Sequence, residues 1–400
     1  MTHRFPARPP LQALALALSL AACADAPTAA SPAAAPSASA VKFWEVGSSV
    51  YWNGVARELL PTHPRGFDPA VQARILTYLS IAQHNAVVTA ETTKERGRHA
   101  SPAAAAAGAS LVVLKSFLPA AAHPTLDARL QAQLAGPRWP GEQQRDVDAG
   151  LAVGEAIGAE VAAYAAGDGF GLAVPPPNPG GPGTWTGTNP YIGLHGTRLL
   201  ALESPDQFRP APPPAFGSAE FEAALADLRA VVQHRTEEQI RIARYWATRN
   251  SDAMNAVAAR LIVEHRRTER DAARILALAN IAGFDVVPAC FDAKFAYYFI
   301  RPTQADREGI TIVQGLFLPP HPSYPSAHSC ITAAFVTVLA SAFPSERAEL
   351  EAIMEEAGLS RMYAGIHYRF DLVAGQELGR QVARWVLEHG VDRRAPIPLD

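Results

Sequence analysis

Helical periodicity runs through most of the chain and limits what it can fold into more than any other feature. In the window 69–91, Ile75, Leu79, Ala82 and Ala86 recur every three or four residues and form one apolar stripe. Alternating β-branched runs, which are typical of strands, are nearly absent. Similar windows cover residues 103–117, 142–166, 218–248, 252–283, 288–300, 328–343, 345–358 and 367–389, with Gly283 as an expected C-cap. The sequence therefore predicts a mainly α fold with few or no strands.

A segment rich in proline and glycine interrupts this pattern. Residues 167–214 contain eleven prolines, in stretches such as PPPNPGGPG and PAPPP. A loop of this length inside a compact protein is usually functional or a linker. We therefore predict two packed helical bundles: an N-terminal half at residues 41–215, which includes the loop, and a C-terminal half at residues 216–400.

The composition excludes several classes of protein. The 400 residues carry 35 Lys and Arg against 38 Asp and Glu, a net charge of −3. A nucleic-acid-binding protein would show a basic stripe, so no nucleic-acid partner is expected. Three cysteines are too few for a disulfide scaffold or a cysteine-rich zinc module.

The N-terminus has the pattern of an export signal. Residues 1–22 combine two arginines with a short apolar run that ends in Leu20-Ala21-Ala22, directly before Cys23. This order resembles a bacterial lipobox and predicts a lipoprotein signal peptide, with Cys23 as the lipidated residue. The alternative is an ordinary signal peptide cut a few residues later.

The export signal also predicts where the rest of the chain lies. Residues 23–40 are rich in Ala, Pro and Ser and read as a tether. No later apolar run reaches the ~18 residues that a transmembrane helix needs. The expected location is a bacterial membrane surface, reached through the lipid on Cys23, with the folded part facing the periplasm or the cell exterior.

The first of three motifs that carry chemistry is Lys294-FAYYFI-Arg301-Pro302. Seven residues along a helix return the side chain to within about 20° of its starting direction, so Lys294 and Arg301 are expected on one helix face. Pro302 would end that helix. The alternative is a pair of solvated charges at a helix end, although the apolar and aromatic spacer argues against simple exposure.

The second motif is His321-PSYP-Ser326-Ala327-His328. Ser326 is a natural N-cap for the apolar helix that follows, and the free N–H groups of a helix start point towards an anion. The alternative is a capped helix with surface histidines.

The third motif is Ser360-Arg361-MYAGI-His367-YRF-Asp371. His367 and Asp371 are four residues apart, so one helix face can pair them. A carboxylate on one imidazole nitrogen leaves the other nitrogen basic. The alternative is a pair that only stabilises its helix.

Taken together, the motifs predict one site for a tetrahedral oxyanion. Lys294, Arg301 and Arg361 supply three cations, and Ser326 opens a helix N-terminus. His328 and His367 supply a nucleophile or ligand and an acid/base. We call the three cations together with the helix start at Ser326 the oxyanion cradle.

The order Lys-x6-Arg-Pro, Pro-Ser-x-His and Ser-Arg-x5-His-x3-Asp resembles the superfamily that joins type 2 phosphatidic acid phosphatases and vanadium-dependent haloperoxidases. Further stretches of sequence, such as SPDQFRPA from Ser204 and LPPHPSYPSAHS from Leu318, are similar to an exported bacterial haloperoxidase-like branch of that superfamily. The middle residue of Pro-Ser-x-His is usually Gly in that superfamily and is Ala327 here. Alanine keeps the N–H group, so the cradle is expected to survive.

The resemblance implies a role for each motif residue. The oxyanion-binding residues would be Lys294, Arg301, Ser326, Ala327 and Arg361. His367 would attack phosphorus in a phosphatase or bind vanadium in a haloperoxidase, with Asp371 orienting it and His328 acting as general acid/base. His321 stands where algal bromoperoxidases carry a histidine that is thought to tune halide oxidation, so it is a candidate halide-tuning residue.

These roles leave three functions open. The first is a haloperoxidase-like enzyme with vanadate as cofactor, and halide and hydrogen peroxide as substrates. The second is an acid phosphatase that needs no cofactor and hydrolyses a phosphate ester through a phosphohistidine. The third is a non-enzymatic lipoprotein that binds an oxyanion. A zinc hydrolase built on His321, His328 and His367 is disfavoured, because acidic ligands are lacking and three clustered cations would repel Zn²⁺.

Cys290 and Cys330 flank the first two motifs. An exported protein meets an oxidising compartment, so a disulfide between them is one expectation. Two buried free thiols are the default, because geometry decides and sequence does not supply it.

Overall fold

The chain is described here from a computed structural model that covers residues 47–95, 99–136, 141–390 and 396–399. The described residues form thirteen α-helices, three short 3₁₀-helices and no strand; Thr184 and Phe299 form one isolated bridge. The α-helices are α1 Ser48–Leu59, α2 Pro69–Glu95, α3 Pro102–Phe117, α4 His123–Leu134, α5 Gln144–Ala166, α6 Ala219–Gln233, α7 Glu237–Trp246, α8 Ser251–Glu264, α9 Glu269–Tyr297, α10 Pro302–Ala305, α11 Ala327–Ala342, α12 Arg347–Tyr363 and α13 Arg369–His389. The 3₁₀-helices are Leu60–Thr62, Ala120–Ala122 and Pro344–Glu346. The predicted mainly α fold is confirmed.

Helix α9 is the centre of the molecule. It packs against α2, α11 and α13. Its side chains from Ala272 to Phe295 are almost all buried. One hydrophobic core contains residues of α2, α3, α9 and α11, and therefore draws on both sides of the predicted boundary at residue 215. That boundary stays a prediction, and the predicted signal, tether and Cys23 lie outside the described residues.

The helix end predicted at Gly283 is wrong. Helix α9 does not end at Gly283 but continues through Pro288 to Tyr297. A side chain at Gly283 would stand 2.2 Å from the Phe335 ring of α11, so the glycine allows two helices to approach closely rather than capping one.

Two predicted long helices are each divided in two. The window 218–248 breaks before Thr236, which caps α7. The Thr236 hydroxyl accepts from the Gln239 amide, and the Gln239 side chain accepts from the Thr236 amide. The window 252–283 breaks at Arg266, whose φ of 48° is left-handed, and Thr268 caps the helix that follows.

The Pro-rich segment is free of helix, as its composition predicts, but it is fastened to the core at several points. Buried Asp285 of α9 accepts bonds from the amides of Leu200, Ala201 and Leu202. At the start of the segment, buried Asp168 accepts from Arg74 and Tyr78 of α2. The loop is therefore an ordered part of the fold around α9.

Two helices among the described residues are long and apolar enough to cross a membrane by length and composition alone. They are Gln144–Ala166, with mean hydropathy 1.2, and Glu269–Tyr297, with mean hydropathy 1.5. In the second helix 94% of the apolar window is buried inside the protein, as in the core helix of a soluble protein.

Candidate active site

Lys294 lies in the last turn of α9 and is fully buried. Its ammonium group donates to the carbonyl oxygens of Pro322 (2.9 Å), Ser323 (2.8 Å) and Pro325. Burial lowers the pKa of Lys294 to about 8. Lys294 thus fastens the loop before α11 and brings a positive charge to it.

Arg301 is not on the same helix as Lys294, contrary to the prediction. Helix α9 ends at Tyr297 because Tyr298 turns left-handed, with φ of 46°, and Arg301 is the N-cap of α10. The guanidinium is fully buried and donates to the His321 carbonyl (2.9 Å) and the Ile366 carbonyl (2.8 Å). Arg301 therefore connects the second motif with the third.

The N-terminus of α11 is built as predicted. Ser326 caps it by accepting from the Ser329 amide at 3.4 Å, and Ala327 is the first residue of the helix. The Ser326 amide donates to the main-chain oxygen of Asp371 (2.9 Å), which ties this helix start to α13. The amides of the first helical turn have no partner within the helix and suit an anion.

His367 and Asp371 are paired, although they do not share a helix. His367 precedes α13, and Asp371 lies in the first turn of α13. His367 Nδ1 is 2.7 Å from Asp371 Oδ2, and Arg301 NH1 is 3.1 Å from His367 Nε2. Because a guanidinium can only donate, Nε2 carries the lone pair and Nδ1 carries the proton. The structure therefore aims a nitrogen lone pair at Arg301 of the cradle, while burial first, and then the charges of Arg301 and Lys294, hold the pKa of His367 well below its ordinary value.

His328 stands in the first turn of α11, with Nε2 2.8 Å from the Trp246 carbonyl oxygen. A carbonyl can only accept, so Nε2 carries the proton and Nδ1 the lone pair. Burial and, next, the charge of Arg361 lower the pKa of His328 to about 3. His328 is therefore neutral, and its Nδ1 lone pair is weakly basic.

Arg361 lies in the last turn of α12 and is buried. Its NH2 donates to the Ala243 carbonyl (3.0 Å) and its Nε to Ser360 Oγ (3.0 Å). Burial and the charge of Arg301 lower the pKa of Arg361 to about 9. Two arginines are close enough to repel each other here, which an anion between them would relieve.

His321 is buried beside Arg301, whose NH2 lies 3.0 Å from its Nδ1. The ring packs against Phe291 and Tyr191, with centroids 5.2 and 6.3 Å away. Burial first, then Lys294 and Arg301, hold the pKa of His321 well below its ordinary value. His321 is therefore a neutral group in an aromatic wall of the site.

The charges of the site favour an anion. Lys294, Arg301 and Arg361 are buried, and none of them forms an ion pair within the described part of the chain. Asp371 offsets Lys294 and Arg301 in part. Across the described ranges, no group of three His, Cys, Asp or Glu residues is arranged to hold a metal cation.

Residues that the sequence did not single out complete the site. Ser323 Oγ donates to Asp371 Oδ2 at 2.6 Å, and the Trp246 carbonyl orients His328. Ser323 lies within the second motif, but no local pattern indicates that it reaches α13. Cys290 and Cys330 are buried free thiols, which was the default expectation.

The pKa of His328 predicts an acid-sensitive fold. The unfolded chain takes up a proton on this histidine below about pH 6.5, whereas the folded protein excludes it until about pH 3. The free energy of unfolding should therefore fall as the pH is lowered from 6.5 towards 3. His328→Ala removes this acid destabilisation. Whatever the substitution costs in packing, the variant should therefore be better off relative to wild type at pH 5 than at pH 7.5, by up to about 2 kcal/mol.

Urea unfolding of wild type and His328→Ala at pH 5 and pH 7.5 measures this difference. The matched control is His99→Ala, because His99 is exposed. If the difference in the free energy of unfolding between wild type and His328→Ala is equal at both pH values, the assigned neutral state of His328 is contradicted.

Comparison with known proteins supports the family resemblance of the C-terminal part of the chain. Residues 272–394 match the profile of the PAP2 superfamily, and the resemblance predicted from the three motifs is thereby confirmed. No curated protein matches the chain.

Solved structures match over most of the chain. A bacterial vanadium-dependent iodoperoxidase aligns with a TM-score of 0.71 and 22% identity, over 89% of this chain and 99% of its own. Apo and holo forms of a bacterial vanadium-dependent chloroperoxidase align with TM-scores of 0.62 and 0.63, each at 13% identity and over 80% of this chain. They cover 94% and 92% of their own chains. At these identities the likeness shows a shared fold.

Proposed function

We propose that this protein is a haloperoxidase-like enzyme that binds vanadate and oxidises halide with hydrogen peroxide. The observation that carries the proposal is the pairing of a buried three-cation cradle with one histidine nitrogen, His367 Nε2, whose lone pair is aimed into it. The shared fold with vanadium-dependent iodo- and chloroperoxidases adds support. The donor set suits a tetrahedral oxyanion, and vanadate is one.

The residues of the cradle and His367 would together bind vanadate. Arg301, Arg361 and the start of α11 would bind the oxygens of vanadate, and His367 Nε2 would hold the vanadium. Bound vanadate supplies the activation of peroxide towards halide. Lys294 would add positive charge while holding the loop, and Asp371 keeps the His367 proton on Nδ1.

Proton transfer and halide selection fall to the other two histidines. His328 Nδ1 is free to accept a proton that hydrogen peroxide loses and to return it to the departing oxygen. His321, held between Arg301 and Phe291, would border the halide position and tune its oxidation.

A phosphatase is the second candidate, favoured by the match of residues 272–394 to the PAP2 superfamily. His367 Nε2 would form a bond to phosphorus as the ester bond breaks. His328, protonated when the anionic substrate is bound, would give its proton to the leaving oxygen. Water would then hydrolyse the phosphohistidine, and His328 would take a proton from that water.

One purified sample assayed twice separates these functions. The first assay follows oxidation of iodide, bromide and chloride after loading with vanadate and addition of peroxide. The second follows hydrolysis of p-nitrophenyl phosphate without vanadate. We expect activity in the first assay and none in the second.

His328→Ala is expected to lose the activity by about 10²–10⁴-fold while oxyanion binding persists. Hydrolysis alone would replace the proposal by the phosphatase. Oxyanion binding with neither activity, in a folded sample, would leave the non-enzymatic lipoprotein.

We also propose that the protein is exported and anchored through lipid on Cys23 to a bacterial membrane that faces the periplasm or exterior. The order of the export signal, Cys23 and the Ala/Pro/Ser-rich tether supports this location. Cells grown with labelled palmitate should give a labelled wild-type protein and an unlabelled Cys23→Ala variant. A labelled Cys23→Ala variant would refute the proposed lipid site.

A further inference from the structure

Ser323 connects the first and third motifs, although it belongs to neither. It is fully buried in the loop between α10 and α11. Its amide donates to the Phe299 carbonyl (2.9 Å), and its own carbonyl accepts from Lys294 Nζ (2.8 Å). Its hydroxyl donates to Asp371 Oδ2 (2.6 Å). One residue thus joins the cation of α9 to the carboxylate of α13.

The carboxylate of Asp371 is oriented through a single oxygen. Oδ2 receives Ser323 Oγ at 2.6 Å, His367 Nδ1 at 2.7 Å and the Tyr368 amide at 3.2 Å. The other oxygen, Oδ1, is buried and has no hydrogen-bond partner among the described residues. Among the side chains that set the rotation of this carboxylate, Ser323 is the one that is not itself part of the proposed chemistry.

We infer that Ser323 is a positioning residue that sets the direction of His367 Nε2 through Asp371. The inference rests on the proposed function for its consequences on turnover. Without the Ser323 hydroxyl, the carboxylate loses one of the three donors that fix its rotation about the bond to Cβ, and a small rotation turns His367 with it. The lone pair on Nε2 then spends less time aimed into the cradle.

Ser323→Ala tests this inference. By analogy with lost partners of metal-binding histidines, we expect kcat to fall about 10- to 100-fold and oxyanion affinity to weaken by a similar factor. KM for halide, which in the proposed site borders His321 rather than His367, should change little. Ser323→Thr, which keeps the hydroxyl, should recover most of the loss. A wild-type kcat and oxyanion affinity in folded Ser323→Ala would overturn the inference.

Two controls separate positioning from loss of stability. Ser110→Ala removes another fully buried serine hydroxyl, in α3, which donates to the Ala106 carbonyl. It should lower the thermal midpoint without lowering kcat. The double variant Ser323→Ala/Asp371→Asn should be no slower than Asp371→Asn alone, because both changes act through one carboxylate. A double variant that is slower by the product of both factors would place Ser323 in a different role.

A readout without turnover keeps the inference distinct from the proposed function. The proton on His367 Nδ1 should give a downfield NMR resonance in wild type, absent in His367→Ala. Ser323→Ala should shift this resonance and speed its exchange with water, whereas Ser110→Ala should not. If the wild type has neither activity, the proposed function fails and the resonance still decides the role of Ser323. If Ser323→Ala does not fold, Ser323→Cys, a weaker donor of similar size, should show a smaller change in the same direction.

Discussion

His367→Ala is expected to abolish turnover, whichever of the two chemistries the protein performs. The side chain supplies a nitrogen lone pair, on Nε2, that faces Arg301, and its Nδ1 proton is fixed by Asp371 at 2.7 Å. Loss of a nucleophile or its equivalent typically lowers kcat by on the order of 10³- to 10⁶-fold. Steady-state assays of halide oxidation and of phosphate ester hydrolysis measure this loss.

Binding measurements make the result specific. In the proposed site, phosphate would be held by the cations and by the start of α11, so we expect its affinity to change less than tenfold in His367→Ala. Vanadate affinity should fall further than phosphate affinity, because the proposed bond from Nε2 is lost. His389→Ala, on the exposed C-terminal turn of α13, is the matched control and should match wild type. Substantial turnover by folded His367→Ala would refute the assigned role.

The local chemistry of the second motif could be predicted from the sequence. Ser326 was expected to cap α11, and it does so, because an N-cap is a contact between residues three apart. The pairing of His367 with Asp371 was also expected, and it forms although His367 lies outside α13. Short spacings bring such side chains together in more than one local conformation.

Two helix starts are marked by capping residues that the apolar periodicity alone does not reveal. The sequence Thr236-Glu-Glu-Gln239, a capping box inside a continuous apolar pattern, indicates the break before α7. Thr268 gives the same kind of signal before α9. A capping residue in the middle of a long amphipathic window should therefore count as a candidate helix start.

The remaining errors have a tertiary cause. Nothing near Tyr298 indicates that this residue turns left-handed and removes Arg301 from α9. Likewise Gly283 reads as a cap, and only the position of Phe335 on another helix shows that it makes room for packing. Ser323 is separated from Asp371 by 48 residues, so its contact is visible only in the folded chain.

Arg301→Ala should have the largest effect on oxyanion binding. Arg301 is fully buried and is the cation that donates both to the second motif, at the His321 carbonyl, and to the third, at the Ile366 carbonyl. Truncation of a buried, hydrogen-bonded charge costs about 2–5 kcal/mol of binding energy, which corresponds to a phosphate Kd about 30- to 5,000-fold higher. Titration calorimetry with phosphate, followed by vanadate, measures this loss.

The same substitution should also destabilise the fold, for a separate reason. It leaves two buried carbonyl oxygens without a donor, at about 1–3 kcal/mol each, while it relieves the repulsion that lowers the pKa of Arg361. We therefore expect a net loss of about 1–4 kcal/mol in the free energy of unfolding. Arg301→Lys keeps the charge but lacks the planar fork, so it should recover only part of both losses.

Arg235 provides a matched control for the effect on the fold. It also clamps carbonyl oxygens, those of Tyr363 (2.9 Å) and Thr311 (2.8 Å), but it is not part of the cradle. Arg235→Ala should lower stability and leave the phosphate Kd within about threefold of wild type, less than 1 kcal/mol. Equal phosphate affinities for folded Arg301→Ala and Arg235→Ala would show that the cradle does not bind the anion, because Arg301 contacts His367 and Arg235 does not.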